Sequence, residues 1–138
     1  MTDLTDHVDG IVHEPTQVHD GGVDLTAAEV YEVLEPGRVD FGGGELEAAE
    51  LDSHERTWRN PDDDYQWWHL DSGTYLLEFN EELEAPEPVV CQPRAAIRKR
   101  GAFHPTLHVR HLERVPLTVG GAGIRLKENA RVSTLVSP

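Results

Sequence analysis

An all-β fold, either a sandwich or a barrel, is predicted by three features of the sequence. Short stretches rich in β-branched and aromatic residues recur at even spacing, separated by glycine and proline turns. The length of 138 residues suits one domain. Prolines in the second half leave no room for a long helix, because each lacks a backbone donor and fixes φ. They are Pro86, Pro88, Pro93, Pro105 and Pro116.

Alternation of apolar and polar residues predicts the strands in chain order. Residues 23–26 and 30–34 form one strand or two short ones, followed by a turn at 35–38. Residues 45–56 make either a helical turn or an irregular excursion. Residues 74–79 are the clearest strand candidate, since aromatic and branched side chains favour a pleated surface. Further strands are expected at 107–109, 115–119, 124–126 and 131–136.

The first 20 residues are predicted to be a flexible N-terminal arm, and residues 21–138 a single β domain. The arm carries His7, His13 and His19 at intervals of six. This interval fits neither a helix face nor a zinc finger, so an arm is favoured over a metal site.

The charge is strongly negative and unevenly distributed. The net charge is −14, yet residues 88–138 contain nine of the twelve basic residues and only Glu113 and Glu128 as acids. An acidic protein lacks the basic footprint that nucleic acid requires, so no nucleic-acid partner is expected. The acidic, lysine-poor composition suggests a halophilic protein, whose self-repulsion is screened by salt. Its melting temperature should therefore rise from dilute buffer to molar salt.

Several other classes of protein are excluded by simple counts. The single cysteine, Cys91, excludes an internal disulfide and a cysteine-rich zinc site. The sequence lacks an apolar run of about 18 residues, so no membrane is expected as a partner. The acidic N-terminus has no apolar core of a secretory signal. A cytoplasmic location is expected from these features.

A compact basic element occupies residues 93–101. It contains Arg94, Arg98, Lys99 and Arg100, between a proline and a glycine. Arginine binds phosphate oxygens in pairs and lysine adds a point charge, so this element is a candidate phosphate site. The alternative is that these bases pair with the acidic part of the chain or with a neighbouring subunit.

Five segments, in order, resemble the dCTP deaminase/dUTPase superfamily. Residues 22–26 resemble its early V-D-L strand, 35–38 a turn of haloarchaeal members and 69–77 its L-x-P-G-x-Y-x-V segment. Residues 94–101 resemble the phosphate-binding R-S-S-L-x-R-x-G motif, and 131–136 the closing R-I-A-Q-L-V strand.

The resemblance implies a distorted, jelly-roll-like β-barrel that forms a homotrimer with nucleotide sites between subunits. It implies a deoxypyrimidine nucleoside triphosphate as partner, with Mg²⁺ bound through the phosphates. Arg94, Arg98 and Lys99 would contact phosphate. Members hydrolyse dUTP to dUMP and pyrophosphate, deaminate dCTP, or do both.

The chain departs from the family pattern at positions that carry the chemistry. The two serines of the phosphate motif are Ala95 and Ala96, and the glutamine of the last strand is Thr134. The motif that bears the catalytic acid is shortened over residues 104–114, and the family's glycine-rich tail is absent before residue 138. A general base needs an acceptor of suitable pKa, so Glu113 and His111 are the candidate catalytic residues. The alternative for Glu113 is a structural ion pair with Arg110 or Arg114.

Two further patterns leave alternatives open. His104, His108 and His111 share one face if the segment is helical, but Pro105 and the alternation at 107–109 favour a strand without a metal site. The tryptophans, at positions 58, 67 and 68, stack on a base or, by preference, pack in the core or a subunit interface.

Two functional hypotheses follow. The first is an enzyme of deoxypyrimidine nucleotide metabolism, a dUTP diphosphohydrolase rather than a dCTP deaminase. The second is a catalytically inactive relative that binds nucleotide or another subunit.

Overall fold

The all-β prediction is confirmed by the computed structural model, which describes residues 3–137. The strands of the first half are β1 (Val8–Asp9), β2 (Val18–His19), β3 (Gly22–Glu35), β4 (Glu50–Ser53), β5 (Arg56–Thr57), β6 (Trp67–Leu70) and β7 (Gly73–Phe79). Those of the second half are β8 (Glu82–Leu83), β9 (Val89–Pro93), β10 (Ala102–Phe103), β11 (Leu107–Val109), β12 (Val115–Val119), β13 (Ile124–Lys127) and β14 (Arg131–Val136). Two short helices, α1 (Glu14–Gln17) and α2 (Ala95–Arg98), and a 3-10 turn at Leu4–His7 complete the described elements.

The main sheet is antiparallel and curls around β3. Its strand order is β10-β12-β7-β3-β14-β9-β11, and β2 and β4 also pair with β3. A separate sheet has the order β13-β6-β5, and β1 pairs with β8. The register of β3 shifts between Ala27 and Glu29 and between Val33 and Glu35, and such bulges bend a strand. This architecture is consistent with a dUTPase-type β-barrel.

Several local predictions are decided by the strand bounds. Residues 23–26 and 30–34 belong to one strand, because β3 runs without a break from Gly22 to Glu35. The segment 45–56 is neither helical nor wholly irregular, since it contains β4. The strand expected at 107–109 is β11.

The core is filled by alternating residues of the central strands. Leu25, Leu77, Leu117 and Leu135 are fully buried, as is Trp68. Burying such a side chain contributes roughly 1.5–3 kcal/mol relative to leaving it exposed. Of the other two tryptophans, residue 67 is half-buried and residue 58 is exposed, so only one of the three is a core residue.

The segment before residue 21 packs against the barrel, and two of its residues are buried there. Val8 in β1 pairs with Leu83 in β8, and both side chains are buried. Gln17 in α1 is 2% exposed and lies under the start of β3. Residues 3–20 therefore have defined elements and core contacts, while the mobility and the domain boundary remain predictions. No helix in residues 3–137 is long and apolar enough to cross a membrane.

Candidate functional site

The basic element is a turn that follows β9 and contains α2. The carbonyl of Arg94 accepts hydrogen bonds from the backbone N–H groups of Ile97 and Arg98 at 3.1 and 3.2 Å. The side chain of Ile97 is buried and anchors the turn to the core. The side chains of Arg98 and Lys99 are exposed, so they are available to a ligand.

Arg94 itself turns inward, toward a buried aspartate of β3. Its Nη1 donates to the carbonyl of Arg131 at 3.1 Å, and its Nε lies 3.6 Å from Oδ2 of Asp24. Nη1 of Arg131 donates to the same Oδ2 at 3.1 Å. Asp24 is only 1% exposed. One buried carboxylate therefore orients two guanidinium groups, and a buried charge requires such partners.

The second oxygen of Asp24 is held by two further donors. Thr134 Oγ1 donates to Oδ1 at 2.8 Å, and His19 Nε2 lies 2.9 Å from it. The backbone N–H of Gly21 donates to Nδ1 of His19, so Nδ1 is an acceptor and Nε2 carries the proton. Burial by itself would raise the pKa of Asp24, but the hydrogen bonds from His19 and Thr134 and the charge of Arg94 outweigh it. The pKa is lowered, and Asp24 is charged at neutral pH.

This arrangement leaves Arg94 able to bind an anion. A guanidinium has five N–H donors, and those directed at the Arg131 carbonyl and Asp24 do not exhaust them. Across residues 3–137, no carboxylate lies within 4.0 Å of Arg98 or Lys99. Arg98 and Lys99 are therefore not neutralised by the described part of the chain, and they lie in the same turn as the oriented Arg94.

A neighbouring carboxylate, Glu81, is buried among neutral donors. It accepts from the backbone N–H of Thr26 at 2.7 Å, from its hydroxyl at 2.6 Å and from Gln17 Nε2 at 2.8 Å. Gln17 Nε2 also donates to the carbonyl of Asp24 at 2.9 Å. The N-terminal segment is thus hydrogen-bonded to the strand that carries Asp24.

The candidate catalytic residues lie elsewhere on the chain. Glu113 is exposed and lines an open cavity of about 470 Å³ with Glu78, Glu81 and Arg114, among others. His111 is also exposed. None of the three predicted phosphate-binding residues lines this cavity.

The strand register explains this separation. Val109 pairs with Val89, so His111 and Glu113, which follow β11, lie beyond the start of β9. Arg94 follows the opposite end of β9. The first and last residues of β9 are four rises of about 3.3 Å apart, roughly 13 Å. Within one chain, the candidate base and the candidate phosphate ligands therefore follow opposite ends of β9.

The histidines of 104–111 do not share one environment. His104 is buried; its Nδ1 lies 2.8 Å from the carbonyl of Pro105, so Nδ1 carries the proton and Nε2 accepts from Ser133 Oγ at 2.6 Å. Burial lowers the pKa of His104, which keeps the ring neutral. His108 and His111 are exposed. The described part of the chain contains no group of three potential metal ligands.

Sequence reasoning did not identify Asp24, which orients Arg94, or the residues that hold Asp24 in place. Asp24 and Thr134 lie within the segments that resemble the family, but neither was assigned to the site, and His19 was assigned to the arm. One signal was available for Asp24, since an acid inside an apolar strand needs buried donors. For His19 there was none, because its position depends on the pairing of β2 with β3.

The fold and this site define a small antiparallel β protein whose basic turn is braced by a buried aspartate. No family model matches the sequence. A probable deoxyuridine 5′-triphosphate nucleotidohydrolase of Methanosarcina acetivorans is 30% identical over 128 residues, which cover 88% of this chain and 71% of the relative. Its counterpart in Methanococcoides burtonii is 28% identical over 136 residues, covering 94% of this chain and 76% of the relative.

A probable deoxyuridine 5′-triphosphate nucleotidohydrolase of Halobacterium salinarum is 30% identical over 109 residues, which cover 72% of this chain and 59% of the relative. The chain belongs to the dUTPase/dCTP deaminase superfamily. The resemblance that the five segments indicated is thereby confirmed.

Proposed function

We propose that this protein binds a deoxypyrimidine nucleoside triphosphate and hydrolyses dUTP to dUMP and pyrophosphate. The observation that carries the proposal is the braced basic turn: Arg94, oriented by Asp24, stands beside the exposed Arg98 and Lys99 in the segment that resembles the family's phosphate motif. Its relatives are named probable deoxyuridine 5′-triphosphate nucleotidohydrolases. This activity would place the protein in the cytoplasm, with the nucleotide pool.

The proposed site is shared between subunits of a homotrimer. Glu113 and His111 follow β11, and Arg94 follows the opposite end of β9, roughly 13 Å along that strand. This arrangement favours a proton acceptor from another copy, since a general base must reach the proton that it accepts. A neighbouring copy would supply Glu113 or His111, which would accept a proton from the attacking water. Arg94, Arg98 and Lys99 would hold the phosphates and stabilise the charge that develops on them.

Magnesium fits this site only as a companion of the nucleotide. Residues 3–137 provide no cluster of three acidic or imidazole ligands. Mg²⁺ commonly keeps several waters and binds through substrate phosphates with one or two protein carboxylates. Bound in that way, it would neutralise phosphate charge, while the chain's own cations orient the substrate.

One observation favours a second candidate, a relative that binds nucleotide without hydrolysing it. Ala95 and Ala96 occupy the positions of the family's serines and lack a hydroxyl donor. The donors that remain at these two positions are their backbone N–H groups, which have no acceptor within the helix because they belong to its first turn. Loss of one transition-state donor typically costs about 10²–10³ in rate.

The test is to incubate the full chain with dUTP or dCTP and Mg²⁺ and to measure pyrophosphate and ammonia. Pyrophosphate from dUTP is expected; ammonia from dCTP would identify a deaminase instead. Lys99→Gln should lower turnover at limiting dUTP, while Arg59→Gln, an exposed arginine beside Trp67, should not. Saturable nucleotide binding without turnover would support the inactive relative, and neither binding nor turnover would refute both.

The alanines provide a second test. Replacing them together, Ala95→Ser and Ala96→Ser, should tighten nucleotide binding by roughly tenfold, as two new hydroxyl donors reach the phosphates. Unchanged affinity would mean that this turn is not the phosphate site.

A further inference from the structure

A two-stranded β-arm, residues 32–53, extends beyond the barrel. The pairing of β3 with β7 ends at Tyr31 and Leu76, and from there β3 pairs only with β4. An isolated bridge between Arg38 and Glu47 continues the ribbon toward a tip at residues 39–46. A two-stranded ribbon is at best marginally stable by itself in water, so a stable β-arm needs a surface to pack against.

The β-arm exposes large apolar side chains. Phe41 at the tip is fully exposed, Val39 is 89% exposed and Leu46 is 66% exposed. Val33 and Leu34 are exposed along the ribbon. Clustering of this kind is typical of an interaction surface rather than of scattered surface residues.

The β-arm is also strongly acidic. Residues 32–53 contain seven carboxylates and a single arginine, Arg38, which already pairs with Glu47 at 2.8 Å. Its partner should therefore combine an apolar recess with positive charge.

An open, mostly polar cavity of about 550 Å³ lies at the same end of the barrel and supplies the positive charge. Arg100, Arg125 and His69 line it with Leu70, Ala122 and Ile124, and Asp71 is the single acid in its lining. Exposed Ala122 and the methylene groups of Arg100 and Arg125 offer the apolar contact that a phenylalanine ring needs.

The relative position of β-arm and cavity favours a closed ring of copies. Beyond Tyr31, β3 runs toward the Gly73 end of β7, and the turn at Asp71 that borders the cavity lies at that end. An arm and a receptor at one height of the barrel meet around a rotation axis, whereas an arm and a receptor at opposite ends would build a filament.

We infer that the β-arm of one copy of this chain docks into this cavity on a second copy. Phe41 packs over Ala122 and the methylene groups of the cavity's arginines, and the carboxylates of the tip face Arg100 and Arg125. This interface can be tested separately from the proposed hydrolysis, because Phe41, Ala122 and Arg125 lie outside the basic element and the candidate catalytic residues, and Arg100 is not one of the predicted phosphate ligands.

The decisive experiment is a disulfide cross-link between two single variants of the full chain, Phe41→Cys and Ala122→Cys. The native Cys91 is buried and does not compete. On mixing and oxidation, a covalent heterodimer should form between F41C and A122C, whereas Val12→Cys, an exposed site outside the β-arm, should not pair with A122C. Absence of the heterodimer, or equal yield with V12C, would overturn the inference.

Oligomer mass gives the second readout. Phe41→Ser should weaken association by at least about tenfold, as removal of an aromatic anchor does, while Val12→Ser should leave it unchanged. Glu45→Arg and Arg125→Glu should each weaken it, and the two combined should restore it. A wild-type chain that sediments as a monomer of 15.4 kDa would refute the docking. So would a double variant, Glu45→Arg with Arg125→Glu, that associates no more tightly than either single variant. Melting curves confirm that each variant is folded.

Discussion

Replacing Asp24 by asparagine removes one charge from the centre of the site without changing its volume. The carboxylate has two acceptor oxygens, one facing Arg131 and Arg94 and the other facing Thr134 and His19. An asparagine has only one acceptor oxygen, so its NH₂ group must point at donors on one side.

The size of the effect follows from the bonds that are lost. If the amide oxygen stays with the arginines, two hydrogen bonds to Oδ1, at 2.8 and 2.9 Å, are lost. Each is worth about 1 kcal/mol, and the guanidinium contact also loses its charge assistance. We expect Asp24→Asn to lower the free energy of unfolding by about 2–4 kcal/mol.

Urea denaturation at neutral pH measures this value, with an unchanged m as the sign that only the native state is affected. Asp71→Asn, an exposed carboxylate, is the control and should change stability by less than about 0.5 kcal/mol. A loss below about 1 kcal/mol in D24N would mean that the carboxylate does not orient the arginines.

The dependence of stability on pH in the acidic range checks the role of Asp24 independently. Because the pKa of Asp24 is lowered in the folded protein, its contribution is present above the ordinary value of 3.8 and is lost as the pH falls through the folded pKa. Wild-type protein should lose stability there, and D24N should lose less.

Three further outcomes are expected. Leu25→Ala, at a fully buried position of β3, should cost about 3–5 kcal/mol in urea denaturation, whereas Val12→Ala at the surface should be near neutral. Burial lowers the pKa of His104, so the neutral ring contributes its full stability above pH 6.5, and this contribution declines as the pH falls below 6.5. The melting temperature of His104→Gln should therefore fall less on acidification than that of the wild-type protein. Burial raises the pKa of the Cys91 thiol to about 12, so thiol reagents should label it only after unfolding, and rapid labelling of native protein would contradict this.

The strands were predictable because each is a local pattern. Residues 74–79 and 131–136 show the strand pattern in consecutive positions, and both segments are strands in the structure. The segment 45–56 was ambiguous because its apolar residues follow no strict period. It forms β4 only because β3 supplies a partner, and pairing between distant segments is a tertiary effect.

Only part of the candidate site could be predicted from the sequence, because the rest depends on contacts between distant segments. Four bases in seven residues indicate a cationic turn, but the inward course of Arg94 depends on a partner 70 positions earlier in the chain. His19 reaches Asp24 through a short hairpin whose register no local pattern encodes. The periodicity of a sequence does not predict which charged side chains pair across strands, since their partners come from distant segments.

In the proposed site, assembly and catalysis are linked by the length of strand β9. Glu113 and Arg94 follow opposite ends of β9, so the proposal that both act in one site requires a second copy. A variant that loses the β-arm contact, such as F41S, should therefore lose hydrolysis together with association, while K99Q should lose hydrolysis and keep its mass. If F41S were monomeric and fully active, one chain would hold a complete site, and the separation of Glu113 from Arg94 would exclude Glu113 as its base.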